Sequence, residues 1–182
     1  MVKLLGISGS LRKQSLNTAL LHAGQALELP GVELSVATLH GIPLYDGDLE
    51  QASGIPAEVT ALKQKILASD GVILATPEYN HGIPGVFKNA IDWLSRPPAE
   101  MAALFQNRPF ALIGATPSGF GTALSQDAWL SVLHALGTRT WAGGSLLLSR
   151  APQAFDDQGR LTDEPRQNLQ KFLQGFAKFA QS

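Results

Sequence analysis

The 182-residue chain has no cysteine, which removes disulfides, thiolate metal sites and thiol nucleophiles together. Charge is sparse and balanced, with 14 Lys and Arg against 15 Asp and Glu and a formal net charge of −1. Its basic residues form no run, so neither nucleic acid nor an anionic membrane is expected as a partner. No apolar stretch approaches the roughly 18 residues that a membrane-spanning helix needs. Four histidines (His22, His40, His81 and His134) stand far apart in the sequence, without metal-ligand spacing, and no metal site is expected. The first residues run straight into an apolar strand with no signal-peptide pattern, which makes a cytoplasmic protein the expectation.

What is present is an alternation. Hydrophobic residues make up 45% of the chain, enough for one substantial core. Strands are expected at 2–7, 32–38, 71–76, 109–115 and about 139–148, and helices at 15–28, 56–68, 83–94, 122–136 and 163–180. Five strands alternating with five helices imply an α/β three-layer sandwich in one domain over 1–182, a five-stranded parallel sheet with helices on both faces. The runs Gly71–Ala75 and Phe110–Gly114 are continuously apolar, as buried parallel strands must be. The Pro- and Gly-bearing stretches 41–56 and 95–98 are expected to be loops.

In such sheets ligands bind beyond the carboxyl ends of the strands. The loops at 8–15, 77–82 and 116–121 are therefore expected to converge on one pocket. The first, Ser8-Gly9-Ser10-Leu11-Arg12-Lys13-Gln14-Ser15-Leu16-Asn17, joins a strand to a helix N-terminus, where unpaired N–H groups and the helix dipole favour an anion. It matches neither the dinucleotide fingerprint G-x-G-x-x-G nor the P-loop G-x-x-x-x-G-K-[ST]. One arginine among hydroxyls suits a terminal phosphate monoester, which a guanidinium grips with two bonds. The same residues also fit a solvated turn with Ser15 as an N-cap.

The second loop, Thr76-Pro77-Glu78-Tyr79-Asn80-His81-Gly82-Ile83-Pro84-Gly85, is stiffened by prolines at both ends. Its backbone offers alternating donors and acceptors to a planar heterocycle; singly, Glu78 also fits a surface carboxylate and Tyr79 a packing residue. In the third, Ala115-Thr116-Pro117-Ser118-Gly119-Phe120-Gly121-Thr122, Gly119 and Gly121 allow close backbone approach and Thr122 can cap the next helix.

Two motifs carry a resemblance. Gly9-Ser10-Leu11-Arg12-Lys13-x-Ser15-x-Asn17, followed by Pro77-Glu78-Tyr79-Asn80-x-x-x-Pro84-Gly85-x-x-Lys88-Asn89-Ala90-Ile91-Asp92-Trp93, resembles the NADPH-dependent FMN reductase family over residues 2 to roughly 150. The resemblance implies a flavodoxin-like fold and bound FMN, reduced by NADPH or NADH and reoxidised by quinones, flavins, chromate or azo compounds. Position by position it implies Ser10, Arg12, Ser15, Leu16 and Asn17 at the phosphate. Pro77, Glu78, Tyr79 and Asn80 would line the isoalloxazine, mainly through main-chain groups, with Ser118 and Gly119 at the flavin or ribityl chain. Flavin carries the hydride chemistry, so no acid–base side chain is nominated as catalytic.

The resemblance also implies a homodimer or homotetramer, where the residues alone leave open both a subunit contact and a helix buried beneath a loop. Residues 122–136 are apolar over a wider arc (Ala123, Leu124, Ala128, Trp129, Leu130, Val132, Leu133, Leu136) than one sheet face can cover. The competing expectation is a flavodoxin-type electron carrier without nicotinamide turnover. Such carriers are acidic so as to dock on basic partners, and a sequence pI near 6.4 fits that poorly. A flavin-free binding module that uses the same cleft is the third possibility.

Overall fold

The computed structural model describes residues 1–182. Six strands form one sheet: β1 (Val2–Ser8), β2 (Val32–Ala37), β3 (Gly71–Ala75), β4 (Pro109–Ala115), β5 (Arg139–Thr140) and β6 (Leu146–Leu148). All pairings are parallel, in the order β2-β1-β3-β4-β5, with β6 also paired to β4. The seven helices are α1 (Leu16–Gln25), α2 (Gly47–Ser53), α3 (Ala57–Leu67), α4 (Gly85–Leu94), α5 (Pro98–Phe105), α6 (Ala123–Ala135) and α7 (Asp163–Gln181). The expected α/β sandwich with a flavodoxin-like parallel sheet is what forms.

Strand alternation sends neighbouring residues to opposite faces, and two cores follow from it. Leu4, Ile73, Ala111 and Ile113 meet α1 and α7 through Leu20, Leu21, Leu169, Phe172 and Phe176. Leu5, Ile7, Val72, Leu74 and Phe110 meet α3–α6 through Val59, Ile66, Phe87, Ile91, Trp129 and Leu133.

The fifth strand departs from the expected 139–148. It is split into β5, opposite Pro109 and Phe110, and β6, opposite Ile113–Ala115. Trp141 leaves the sheet between them to pack edge-on against Phe172, with ring centroids 5.0 Å apart. Its ring also lies over Gly143 and Gly144, where added Cβ atoms would strike it. A large ring seeking the α7 core thus overrides a strand already weakened by two glycines.

Two helices were not expected: α2 lies within 41–56, expected to be a loop, and α5 starts at the last residue of the expected 95–98 loop and runs on through residues given no element. Neither has much apolar periodicity of its own, and tertiary ties hold them. Arg96 Nε donates to Glu50 of α2 at 2.8 Å. The buried Lys63 ammonium of α3 bonds the Arg96 carbonyl and Glu100 of α5. Trp93 of α4 is fully buried. The segment 42–45 folds across α4 to cover it: Trp93 Nε1 and Asn89 Nδ2 both donate to the Pro43 carbonyl at 2.9 Å, and Tyr45 stands edge-on to the indole at 4.9 Å.

Candidate active site

At the carboxyl edge of the sheet, α1 starts where Ser15 caps it, its hydroxyl accepting from Thr18 N–H at 3.2 Å. Leu16 and Asn17 fill the first two helical positions, so their N–H groups have no carbonyl one turn earlier to bond. Asn17 is buried and clasps Ala115 at the end of β4, giving an amide hydrogen to its carbonyl and accepting from its N–H, each at 2.9 Å. That pair of bonds fixes the helix N-terminus against the third loop. Ser10 is buried, and its hydroxyl accepts from Arg12 N–H at 3.3 Å. The Arg12 guanidinium is exposed and has no carboxylate within ion-pair distance. His40, from the segment after β2, reaches over to the Leu11 carbonyl at 3.1 Å.

Gly9, in the same loop, packs against α4. Its missing Cβ leaves room for the Phe87 ring of α4, which a side chain there would strike. Close packing inside the protein, not approach of a ligand, sets this glycine.

The second loop closes as a tight turn. Tyr79 and Gly82 exchange both backbone bonds, at 3.3 and 3.0 Å, and Asn80 and His81 between them adopt φ of +50° and +61°. Asparagine and histidine are among the residues that tolerate that region. Tyr79's own main-chain groups are therefore engaged, while the N–H and C=O of Glu78 and the N–H of Asn80 have no partner in the chain. The Glu78 carboxylate points away to α6. One oxygen accepts from Leu124 and Ser125 N–H at 2.9 and 3.1 Å, and the other lies 3.4 Å from His81 Nδ1. Glu78 thus caps α6 from outside the helix, in place of Thr122, whose side chain makes no cap bond.

The three loops do converge. A cavity of about 210 Å³ is walled by Ser10, Arg12, Ser15, Leu16 and Asn17, by Pro77, Glu78 and Tyr79, and by Ala115, Thr116 and Pro117. Eight of the eleven residues expected at a cofactor line it. Asn80 stands at the tip of its turn, and Ser118 and Gly119 lie just beyond the wall that Thr116 and Pro117 form. Ser118 is exposed, and its carbonyl accepts from the N–H of Arg150, two residues past β6, at 2.9 Å. Drug-sized ligand pockets start near 300 Å³, so this lobe fits a phosphate and short chain, with a larger ring lying at its rim. Larger cavities exist, about 710 Å³ beside β6 and α7 and about 670 Å³ beside α1, but neither gathers the strand-end loops.

An anion cradle at a helix start, facing a proline-stiffened turn across a parallel sheet, defines a flavodoxin-like nucleotide-cleft protein. The model of the NADPH-dependent FMN reductase family matches residues 2–153, and the chain belongs to that family. An NAD(P)H-dependent FMN reductase of Pseudomonas aeruginosa is 42% identical over 174 residues, which is 95% of this chain and 92% of that protein. An NADPH:quinone oxidoreductase of Arabidopsis thaliana is 35% identical, covering 98% of this chain and 92% of its own length. Among solved structures, the flavoenzyme NAD(P)H:(acceptor) oxidoreductase FerB of Paracoccus denitrificans superposes with a TM-score of 0.88 at 33% identity, covering 100% of this chain and 98% of its own.

Reading the residues alone placed the 116–121 loop at the pocket but singled out Ser118 and Gly119 in it, whereas Thr116 and Pro117, with Ala115 before them, form the wall. Asn89, Trp93 and Tyr45 were missed as the residues that clamp the 42–45 segment. Thr116 and Pro117 directly follow the apolar run of β4, the one signal that marked them. Nothing local marked Asn89, whose partner is 46 residues away.

Proposed function

We propose that the cleft holds FMN and that the chain passes reducing equivalents from NAD(P)H through it to a quinone-type acceptor. The observation that carries this is the Arg12 guanidinium, left without a carboxylate, beside the free N–H groups of Leu16 and Asn17 in one small cavity. That donor set is built for a phosphate monoester, and the Ser10 and Ser15 hydroxyls add two more groups. FMN, when bound, supplies a ring that accepts a hydride and releases electrons to a second substrate.

The chain's own residues position and polarise. Free main-chain groups of Glu78 and Asn80 offer bonds to the polar edge of a ring resting on Pro77 and Tyr79. N–H groups aimed at that edge stabilise negative charge that develops on reduction. Ser118 and Gly119, outside the cavity wall, serve the open end of the ring and the substrates stacking there. The Glu78 carboxylate is committed to α6 and takes no acid–base part. Quinone as acceptor follows the names of the relatives, and a ring at an open rim also suits flavins, chromate or azo compounds. A cytoplasmic location belongs to the same proposal, because reduced nicotinamide nucleotides are held there.

A homo-oligomer is the other part of the proposal. Trp129 and Leu133 of α6 are buried on the protein's own sheet, whereas Leu124 and Leu130 are about half exposed and Phe120, just before the helix, is 89% exposed. Leu124 borders the turn that carries Tyr79 through its bond to Glu78, so a second copy packing at that end of α6 would lie next to the cleft.

Anaerobic titration tests the function. Protein loaded with FMN should lose its yellow absorbance on adding NADPH or NADH and regain it with 1,4-benzoquinone. A flavin-loaded protein that neither dinucleotide bleaches would be an electron carrier, and a protein that takes up no FMN would be a binding module of another kind.

A further inference from the structure

Of the seven arginines in the chain, five are committed. Arg96, Arg160 and Arg166 face Glu50, Asp156 and Asp163; Arg108 donates to the carbonyls of Ile66, Ser69, Ala103 and Leu104; Arg139 bonds the Phe179 carbonyl and stacks on its ring. Two remain without a carboxylate or a carbonyl for the guanidinium, Arg12 and Arg150. Both stand at the carboxyl ends of strands.

Arg150 is also one of five non-glycine residues with positive φ, at φ +46° and ψ +38°. An L-residue there costs about 1–2 kcal/mol, and this one has neither asparagine's nor aspartate's short polar side chain to ease it. Neighbouring backbone bonds hold it in place. Arg150 N–H donates to Ser118, Ala151 N–H to Thr116, and the Arg150 carbonyl accepts from Gln153, each at 2.9 Å. The bend turns the side chain back over the third loop, with Nη2 3.8 Å from where a Cβ on Gly119 would stand. A strained backbone thus holds a free, exposed guanidinium at the rim of the cleft, and such strain belongs where function needs it.

FMN has one phosphate, and Arg12 faces its cradle. In the sheet, β1 and β6 are separated by β3 and β4, three strand spacings or about 14 Å. Arg150 is therefore too far across the sheet to share that phosphate. An unsubstituted quinone brings no anion and chromate brings a free oxyanion, whereas a nicotinamide dinucleotide brings several phosphoryl groups. A lone guanidinium binds a terminal monoester dianion best, through two parallel bonds. Only the 2′-phosphate of NADPH is such a group, and it alone separates NADPH from NADH.

We infer that Arg150 docks the 2′-phosphate of NADPH and so makes this chain prefer NADPH to NADH. The inference rests on the FMN cleft proposed above. It is tested on the FMN-loaded protein by kcat/KM for both dinucleotides at fixed 1,4-benzoquinone. Calorimetric titrations with 2′,5′-ADP and with 5′-AMP accompany the kinetics. Arg150→Gln should lower kcat/KM for NADPH roughly tenfold or more through KM, and leave NADH within about twofold. It should weaken 2′,5′-ADP by a similar factor and leave 5′-AMP unchanged. Arg150→Lys should keep most of the preference. Arg150→Gly suits the left-handed backbone, so it should hold or raise the Tm while still losing the preference.

Equal losses for both dinucleotides would assign Arg150 to the pyrophosphate and overturn the inference. So would unchanged kinetics with unchanged 2′,5′-ADP binding, or a weaker FMN Kd in Arg150→Gln. A wild-type protein that takes up no FMN overturns the cleft and the inference together.

Discussion

Asn17 and Glu78 both belong to the motifs that mark the family, and the structure gives their side chains work inside the protein. The Asn17 carboxamide satisfies both backbone groups of Ala115 in a buried site. Asn17→Ala strands those groups, so it should cost roughly 2–4 kcal/mol, a fall in Tm of about 5–12 °C by thermal denaturation. The same variant should bind FMN more weakly, because the N-terminus of α1 loses its tie to β4. The Glu78 carboxylate caps α6, and Glu78→Ala should cost about 1 kcal/mol of stability. The pH profile of kcat should keep its shape in that variant; a lost ionisation would mark Glu78 as an acid or base after all. Residue types and spacing made the positions of Asn17 and Glu78 legible. They could not make the direction of each side chain legible, because the partners, Ala115 and Leu124–Ser125, lie 46 to 98 residues away.

At the scale of elements, the strands and the helices with strong apolar faces were legible in the chain, and those held by polar ties were not. Leu4-Leu5 and Val72-Ile73-Leu74 could only be buried strands, since each successive residue meets a different core. Helix α2 has no buried residue, and nothing in its pattern announces a helix. It is anchored by Glu50, which accepts from Arg96 Nε at 2.8 Å and from the Tyr45 hydroxyl at 3.0 Å. The hydrogen bond from Arg96 holds the Glu50 carboxyl below its ordinary pKa, while the bond to Glu50 raises the Tyr45 phenol. A carboxyl with a depressed folded-state pKa stabilises fully above its unfolded value and loses that contribution as pH falls through the folded value. The Tm difference between wild type and Glu50→Gln should accordingly be constant above about pH 5 and shrink below about pH 4. A difference that grew in acid would rule out the ion pair as the anchor. The split of the fifth strand was illegible for a related reason: Trp141 reads as a strand residue until Phe172 of α7 is brought beside it.

The whole molecule is a sheet whose carboxyl edge gathers three loops, with one free arginine, Arg12, in the cavity wall and another, Arg150, over the third loop. The surplus of apolar residues on α6 could be read from the chain. Which of them face inward could not, because that depends on how α6 lies on the sheet. Leu124 and Leu130 are the ones left outside. Light scattering at micromolar concentration should give a mass of twice or four times 19.4 kDa. Leu130→Glu should reduce it to the monomer with little loss of Tm, since the side chain is already 48% exposed. A wild-type monomer would remove the interface. The most direct test of the cleft itself is a fluorescence titration of FMN into wild type and Arg12→Ala. The expected result is one FMN per chain, with Arg12→Ala weakening the Kd by roughly ten- to hundredfold, about 1.5–3 kcal/mol for a charge-assisted pair. The contradicting result is the same Kd in both proteins, or no FMN bound by the wild type.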